Sequence, residues 1–383
     1  MELLPAERDA QIFYRRGRLD AREIRKHDAV LVACERERAE ELLARMPHAA
    51  HWRRAYEEAC RRGSATVLSL RLPEPAVPVS LALFKKDACA FDRLTLAARA
   101  WKELTAPGGR VLLGALGFDA DGAAAALEAL LSAALAATAQ MPSMKSQAPK
   151  PAFPAAFTVL YEGEQPDFSR TVATDRGNHL ARWLTALPPN ILDSAAYRRA
   201  LRDLARRRGW EFSFLDEATL HRRGAGAFLA VARANEHREA GIVRLRCRAG
   251  KRGARTAHLA LIGKGVCFDT GGVNLKTHKS MYHMHTDMQG SAVAVGTMLA
   301  LSELGAPCDI DCWIAITENQ IGARAFRPQE VVRAANGVTI QVAHSDAEGR
   351  MVLADALALA ARESPDLMID FATLTGACVV ALG

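Results

Sequence analysis

Seven charged residues stand in short, glycine-punctuated segments between apolar runs: Lys264, Asp269 and Lys276 in GKGVCFDTGGVNLK, Asp287 in HTDMQG, and Asp346, Glu348 and Arg350 in SDAEGR. Each is expected where a strand ends or a helix begins, so loops at one sheet edge can gather them. Four carboxylates brought together without partners repel and raise one another's pKa values. Two divalent cations would balance Asp269, Asp287, Asp346 and Glu348, leaving Lys264 free to be neutral and to serve as a nitrogen ligand. Two such ions about 3.5–4 Å apart can share a water and bring its pKa near neutrality. The residues therefore read as a dinuclear metallohydrolase site.

Plainer readings exist for each residue alone. An Asp or Lys at a strand end is commonly a cap or a surface ion pair, and the glycines can be turn residues. GKG is not a phosphate loop, because the G-x-x-x-x-G-K-[ST] spacing is missing. His278, His283 and His285 form a rival cluster with an H-x-H spacing suited to zinc; a structural or supporting role is expected for them. Cys308 and Cys312, in CDIDC, read as buried thiols.

The elements that must position these groups are α/β in class. Two domains are expected. Residues 1–150 form a small N-terminal α/β domain with its linker, and 151–383 an α/β catalytic domain whose mostly parallel central sheet is covered by helices. In the first, a charged helix over 34–46 precedes strands at 66–72 and 110–117. PSMKSQAPKPAFP (142–154) holds four prolines among small and polar residues and reads as the connection. FTVLYEG (157–163) fits a last strand of the first domain, which would move the boundary some way later. In the second, helices are expected at 174–188, 194–210 (capped by Asp193 or Ser194), 287–305 and 351–363. Strands are expected at 211–216, 242–248, 257–263, 308–317, 338–344 and 367–374, with a glycine-rich turn at GAGAFLAVARA.

Composition narrows the function classes. The chain has 383 residues, 50% of them hydrophobic and 24% charged, which excludes disordered, collagen-like and disulfide-scaffold chains. The formal charge is +7, so nucleic acid is a candidate partner; yet residues 1–150 carry 23 Lys+Arg against 19 Asp+Glu, and the excess is spread rather than gathered in a tail. The eight cysteines, at 34, 60, 89, 247, 267, 308, 312 and 378, show no C-x-x-C pair and fit reduced, mostly buried thiols. The charged start is no secretory signal, and the Ala-rich 122–139 reads as a packing helix, not a membrane span. A soluble cytoplasmic protein is expected.

The segments GKGVCFDTGG…LK…M…TDMQGSA, SDAEGRMVLADAL and ATLTGA closely resemble the leucyl aminopeptidase family, the cytosolic dinuclear-zinc aminopeptidases. Upstream, PPNILDSAAYRRALRDLARRRGWEFSFLDEATLHRRGAGAFLAVARA resembles the start of that family's catalytic domain, so the resemblance spans about 175–383. It implies that Asp269, Asp346 and Glu348 hold one cation and Lys264, Asp269, Asp287 and Glu348 the other. Asp269, Glu348 and the nucleophilic water would bridge. The substrate's free amino group would bind beside Asp287, Lys276 would polarise the scissile carbonyl, and Arg350 would hold a bicarbonate that shuttles a proton. Met284, Thr373, Leu374 and Gly376 match the side-chain pocket or sit beside the bicarbonate. The resemblance further implies zinc or manganese, peptide substrates with a free N-terminus, a preference for leucine or another apolar first residue, and a hexamer.

Three departures stand out. His344-Ser345 replaces an Asn-Thr pair, placing an imidazole where an amide faces substrate in relatives. His285 stands where another polar or basic residue is commoner. The sequence stops at Gly383, whereas relatives continue with residues that finish the sheet, one pocket wall and the oligomer contacts. Two other functions are therefore weighed: an inactive shortened family member, and a DNA-binding or regulatory protein using arginine-rich helices at 15–26 and 53–62.

Overall fold

The computed structural model describes residues 2–6, 11–63, 65–73, 76–104, 109–146, 154–250 and 256–382. Residues 147–153 of the expected linker and the Cys378 side chain lie outside that set. The chain divides into two units, Glu7–Asp175 and Met1–Ala6 with Arg176–Gly383.

The first unit contains β1 (Gln11–Arg16), α1 (Ala21–Ile24), β2 (Ala29–Glu35), α2 (Ala39–Leu43), α3 (Ala49–Arg61), β3 (Val67–Arg71), β4 (Pro78–Phe84), α4 (Ala90–Glu103), β5 (Gly109–Leu116), α5 (Ala120–Ala137) and β6 (Pro154–Tyr161). Its sheet runs β1-β6-β5-β2-β4-β3, parallel except for the β3–β4 pair. β6 pairs on both sides, with β1 and β5, so a division at 150 would tear the sheet; the observed division at 175/176 keeps it whole. The helix α5 is long and apolar enough to cross a membrane by length and composition. Here Leu127, Leu130, Leu131 and Leu135 pack it into this unit's core.

Two expected helices are shorter than their charge pattern suggests. Cys34 and Glu35 complete β2, and the helix begins only at Ala39 after a 3-10 turn at Arg36–Arg38. Residues 15–26 are not one arginine-rich helix: β1 takes the alternating QIFYRR, and Asp20 caps the single turn of α1. Of the described cysteines, Cys34, Cys267 and Cys312 are buried, Cys247 and Cys308 half-buried, and Cys60 and Cys89 exposed; all are free. "Mostly buried" thus overstates the case.

Across the division runs α6 (Ser169–Ala186). The second unit continues with α7 (Ser194–Arg208), β7 (Glu211–Asp216), α8 (Glu217–Arg222), α9 (Gly226–Ala232), β8 (Gly241–Cys247), β9 (Ala257–Asp269), α10 (His278–Met281), α11 (Gln289–Glu303), β10 (Cys308–Asn319), β11 (Val331–Arg333), β12 (Thr339–Gln341), α12 (Glu348–Ala361), β13 (Leu367–Phe371) and α13 (Ala377–Leu382). Asp193 caps α7 by accepting from the Ala196 N–H, and Gly209 closes it in the left-handed region. The segment expected as a glycine-rich turn is α9: Gly226 opens it, and Ala227, Phe228, Ala230, Val231 and Ala232 are buried.

The sheet of this unit runs β13-β9-β10-β8-β7. It is mixed, not mostly parallel: β13, β9 and β10 are parallel, while β8 runs antiparallel to both β10 and β7. The expected strand 338–344 shrinks to β12, which pairs only with β11 in a separate ribbon. Strand alternation feeds two cores. Ile310, Cys312, Ile314 and Ile316 face α6, α7 and α11, while Trp313 and Ala315 face α9 and α12. Small residues let α11 approach closely; a Cβ on Gly263 of β9 would stand 2.4 Å from the Ser291 Cα.

Candidate metal centre

β9 supplies two deeply buried groups. Asp269 is its last residue, but Lys264 lies mid-strand, 2% exposed, and not at the strand end its glycines suggest. The lysine reaches the sheet edge along α12, where a Cβ on Gly349 would stand 2.8 Å from both its Cε and Nζ. A side chain at 349 would displace the tip of the lysine from this position.

The Lys264 ammonium donates to Asp287 Oδ1 at 2.7 Å and to the Thr373 carbonyl at 3.2 Å, and pairs with Glu348 Oε1 at 2.8 Å. Asp287 follows a 3-10 turn (Met284–Thr286) just ahead of α11, and Glu348 opens α12. The loop after β9 folds back through the Lys276 N–H donating to the Thr270 carbonyl, at 2.9 Å. That return places the Lys276 ammonium 3.0 Å from Asp269 Oδ2 and 2.5 Å from Asp346 Oδ1. The latter is an ion pair without hydrogen-bond alignment.

The structure thus gathers six of the seven charged residues into one cluster. Asp269, Asp346 and Glu348 present oxygens within 4.8 Å of one another. Asp287 stands outside that trio and joins it through Lys264. Arg350 is exposed on the first turn of α12.

Electrostatics shows what the cluster lacks. Burial pushes the Asp287 carboxyl up to about 7; Lys264 pulls it back and Glu348 adds to the rise. Burial alone would lower the Lys264 ammonium, but Asp287 and Glu348 reverse this and leave it raised. The same competition raises Lys276, through Asp346 and Asp269. Four carboxylates face two ammonium groups, so the cluster has a surplus of negative charge, and the buried Asp287 Oδ2 has no hydrogen-bond partner. Carboxylate oxygens and one lysine nitrogen, with one oxygen unclaimed, form a donor set suited to divalent cations.

Of the expected pocket residues, Thr373 donates to Asp287 Oδ1 at 2.7 Å. Leu374, 42% exposed, lies against Gly349. Met284 is half-buried on the turn that ends at Asp287, and Gly376 is exposed with open space around it. His344 caps the turn Ser345–Ala347, its ring accepting from the Asp346 N–H. Among the described residues the histidine trio forms no ligand cluster. The His283 and His285 rings are 6.4 Å apart, and His283 packs edge-on against Tyr282. Cys308 and Cys312 belong to the apolar core under α7 and α11.

Asn319 is the residue sequence reasoning missed. It ends β10 in register with Asp269. Its signal was positional, a polar side chain at the carboxyl end of a strand beside a suspected ligand.

A family model described as "Cytosol aminopeptidase family, catalytic domain" matches residues 179–383. The probable cytosol aminopeptidase of Desulfovibrio desulfuricans is 38% identical over 246 residues, covering 62% of this chain and 49% of its own length. The tomato leucine aminopeptidase mutant superposes with a TM-score of 0.81 at 25% identity, over 99% of this chain and 77% of that one. The bottromycin maturation enzyme BotP in complex with Mn gives 0.77 at 27% identity, over 93% and 74%. The chain spans about half the length of the curated relatives it matches.

Proposed function

The chain belongs to the cytosol aminopeptidase family, and from that premise we propose that it removes the amino-terminal residue of peptides at a centre of two divalent cations. The observation that carries this reading is the surplus of negative charge in a buried cluster that includes an unclaimed carboxylate oxygen. Asp269, Asp346 and Glu348 would hold one cation, and Lys264, Asp269, Asp287 and Glu348 the other. Bound there, zinc or manganese would supply Lewis acidity and lower the pKa of a shared water.

The chain's own residues do the rest. Asp287 faces the substrate's α-amino group, which an internal amide lacks, so cleavage is confined to the end of a peptide. Lys276, held between Asp269 and Asp346, donates to the scissile carbonyl oxygen as it gains charge. Arg350 offers a planar fork of donors to a bicarbonate that carries a proton to the leaving amine. Met284, Thr373, Leu374 and Gly376 border the first side chain, and an apolar residue such as leucine fits that border. The names of the relatives favour a cytosolic setting and peptide chemistry over the nucleic-acid reading. A hexamer is the proposed assembly.

Metal analysis tests the proposal. Two equivalents of Zn²⁺ or Mn²⁺ per chain, with chelator-sensitive hydrolysis of leucine p-nitroanilide, are expected. A purified protein that takes up neither ion and stays inactive in their presence would refute it.

A further inference from the structure

We infer that Asn319 is a positioning residue whose amide fixes Asp269 and Glu348, the two carboxylates shared in the proposed centre. The inference rests on that reading and adds a residue to it.

Register comes first. β10 pairs in parallel with β9, and a shift between Thr317 and Asn319 sets Asn319 opposite Asp269, not Phe268. Side chains alternate across a sheet, so a one-residue shift decides which face a group serves. Two bonds from Thr270 to the Asn319 carbonyl, from its N–H at 3.0 Å and its hydroxyl at 2.7 Å, pin the shifted register.

The side chain is 1% exposed. Its Nδ2 donates to Asp269 Oδ1 at 2.8 Å, to the Ser345 carbonyl at 3.1 Å and, more weakly, to Glu348 Oε2 at 3.4 Å. Turning the amide over would set Oδ1 against three acceptor oxygens, so the network itself dictates its orientation. The Oδ1 is left buried with no hydrogen-bond partner. A buried unpaired acceptor costs stability, and here the opposite end of the same amide holds two charged groups.

The division of labour between oxygens is consistent. Asp269 Oδ1 is taken by Asn319 and by the Gly271 N–H at 2.8 Å, leaving Oδ2 toward Lys276. Glu348 Oε2 is taken by Asn319, leaving Oε1 toward Lys264. Neutral donors hold the rear oxygens while the front oxygens face the cationic groups, as groups behind a metal ligand do when they set its direction.

The test uses the metal-stripped 383-residue chain, with Mn²⁺ titrated calorimetrically into wild type, N319A and N319V. N319V deletes the donor while filling the site with a branched side chain of higher strand preference, should N319A fail to fold. Circular dichroism and melting report the fold. Both variants should fold, bind Mn²⁺ about 10–100-fold more weakly, and lose kcat while KM holds. A purely structural role would lower the melting temperature and leave Mn²⁺ affinity alone. A folded variant that binds Mn²⁺ as tightly as wild type overturns the inference and spares the proposed function. Loss of fold in both variants overturns a role confined to positioning. Wild type that binds no Mn²⁺ overturns the proposed function itself, and this inference with it.

Discussion

The same two strands carry a buried charged cluster at each end, and the two clusters are built differently. At the amino ends, Asp311 of β10 accepts from Arg244 and Arg246 of β8 at 2.5–3.1 Å, and His258 of β9 lies 3.2 Å away. Glu363 joins both arginines, and Arg244 also covers the Trp313 ring, 4.7 Å from its centroid. Two acids meet two guanidinium groups there, and no oxygen of Asp311 is left unpaired. At the carboxyl ends, four acids meet two ammonium groups and Asp287 Oδ2 is unclaimed. Burial of charge alone does not mark a functional site. Burial with an unbalanced sum does, because folding would select against a surplus that nothing offsets.

The largest break in this comparison is Asp269→Asn. It removes charge from the unbalanced end, and hydrolysis of leucyl substrates should fall by more than about 10³-fold, since a bound Lewis acid supplies several kcal/mol of the barrier reduction. Metal content should fall in step. Retained activity with a full metal complement would show that the surplus has another purpose. Lys276→Ala comes next: kcat should drop about 10²–10³-fold by loss of one donor to the developing oxyanion. Metal content should hold, and equal activity in this variant would rule out the role.

Asp311→Ala sharpens the contrast from the other side. It leaves two guanidinium groups without their central acid, which for buried pairs costs about 3–5 kcal/mol. The arginine side chains are 16% and 18% exposed and keep Glu363, so about 3 kcal/mol is expected in urea unfolding. Mn²⁺ affinity should not change. A variant of unaltered stability would mean that the balanced cluster is ornamental.

The charged cluster was largely legible in the sequence because its residues sit in short segments whose spacing is local: Asp346, Glu348 and Arg350 lie within five residues, Lys264 and Asp269 on one strand. What was not legible depended on partners distant in sequence. Asn319 is an ordinary amide until β10 is registered against β9. The balanced cluster reads in the sequence as scattered arginines, since β8 runs antiparallel to β10 and only that pairing brings Arg244 and Arg246 to Asp311. The same blindness hid β8 and β7 as the antiparallel side of the sheet, and β12 as part of a detached ribbon. In residues 15–26, charge density suggested a helix, while the alternation of QIFYRR, which pairs with β6, carried the true signal.

The smallest effect concerns pH and belongs to the carboxyl end. The Asp287 carboxyl is pushed up to about 7 by burial, with Glu348 adding to the rise and Lys264 opposing it; an unfolded aspartate titrates near ~3.9. Between those values the folded protein holds a proton that the unfolded chain gives up. The contribution to stability is therefore fully present below about 4 and is lost as pH rises through about 7. Urea unfolding of the metal-free chain should show wild type weakening from pH 5 to 8 relative to Asp287→Asn, whose amide cannot ionise. Mn²⁺ should reverse that slope, because a cation binds the ionised carboxylate and competes with the proton. Parallel slopes for the two proteins would place the raised carboxyl elsewhere and remove the main electrostatic sign of imbalance at the carboxyl end of the sheet.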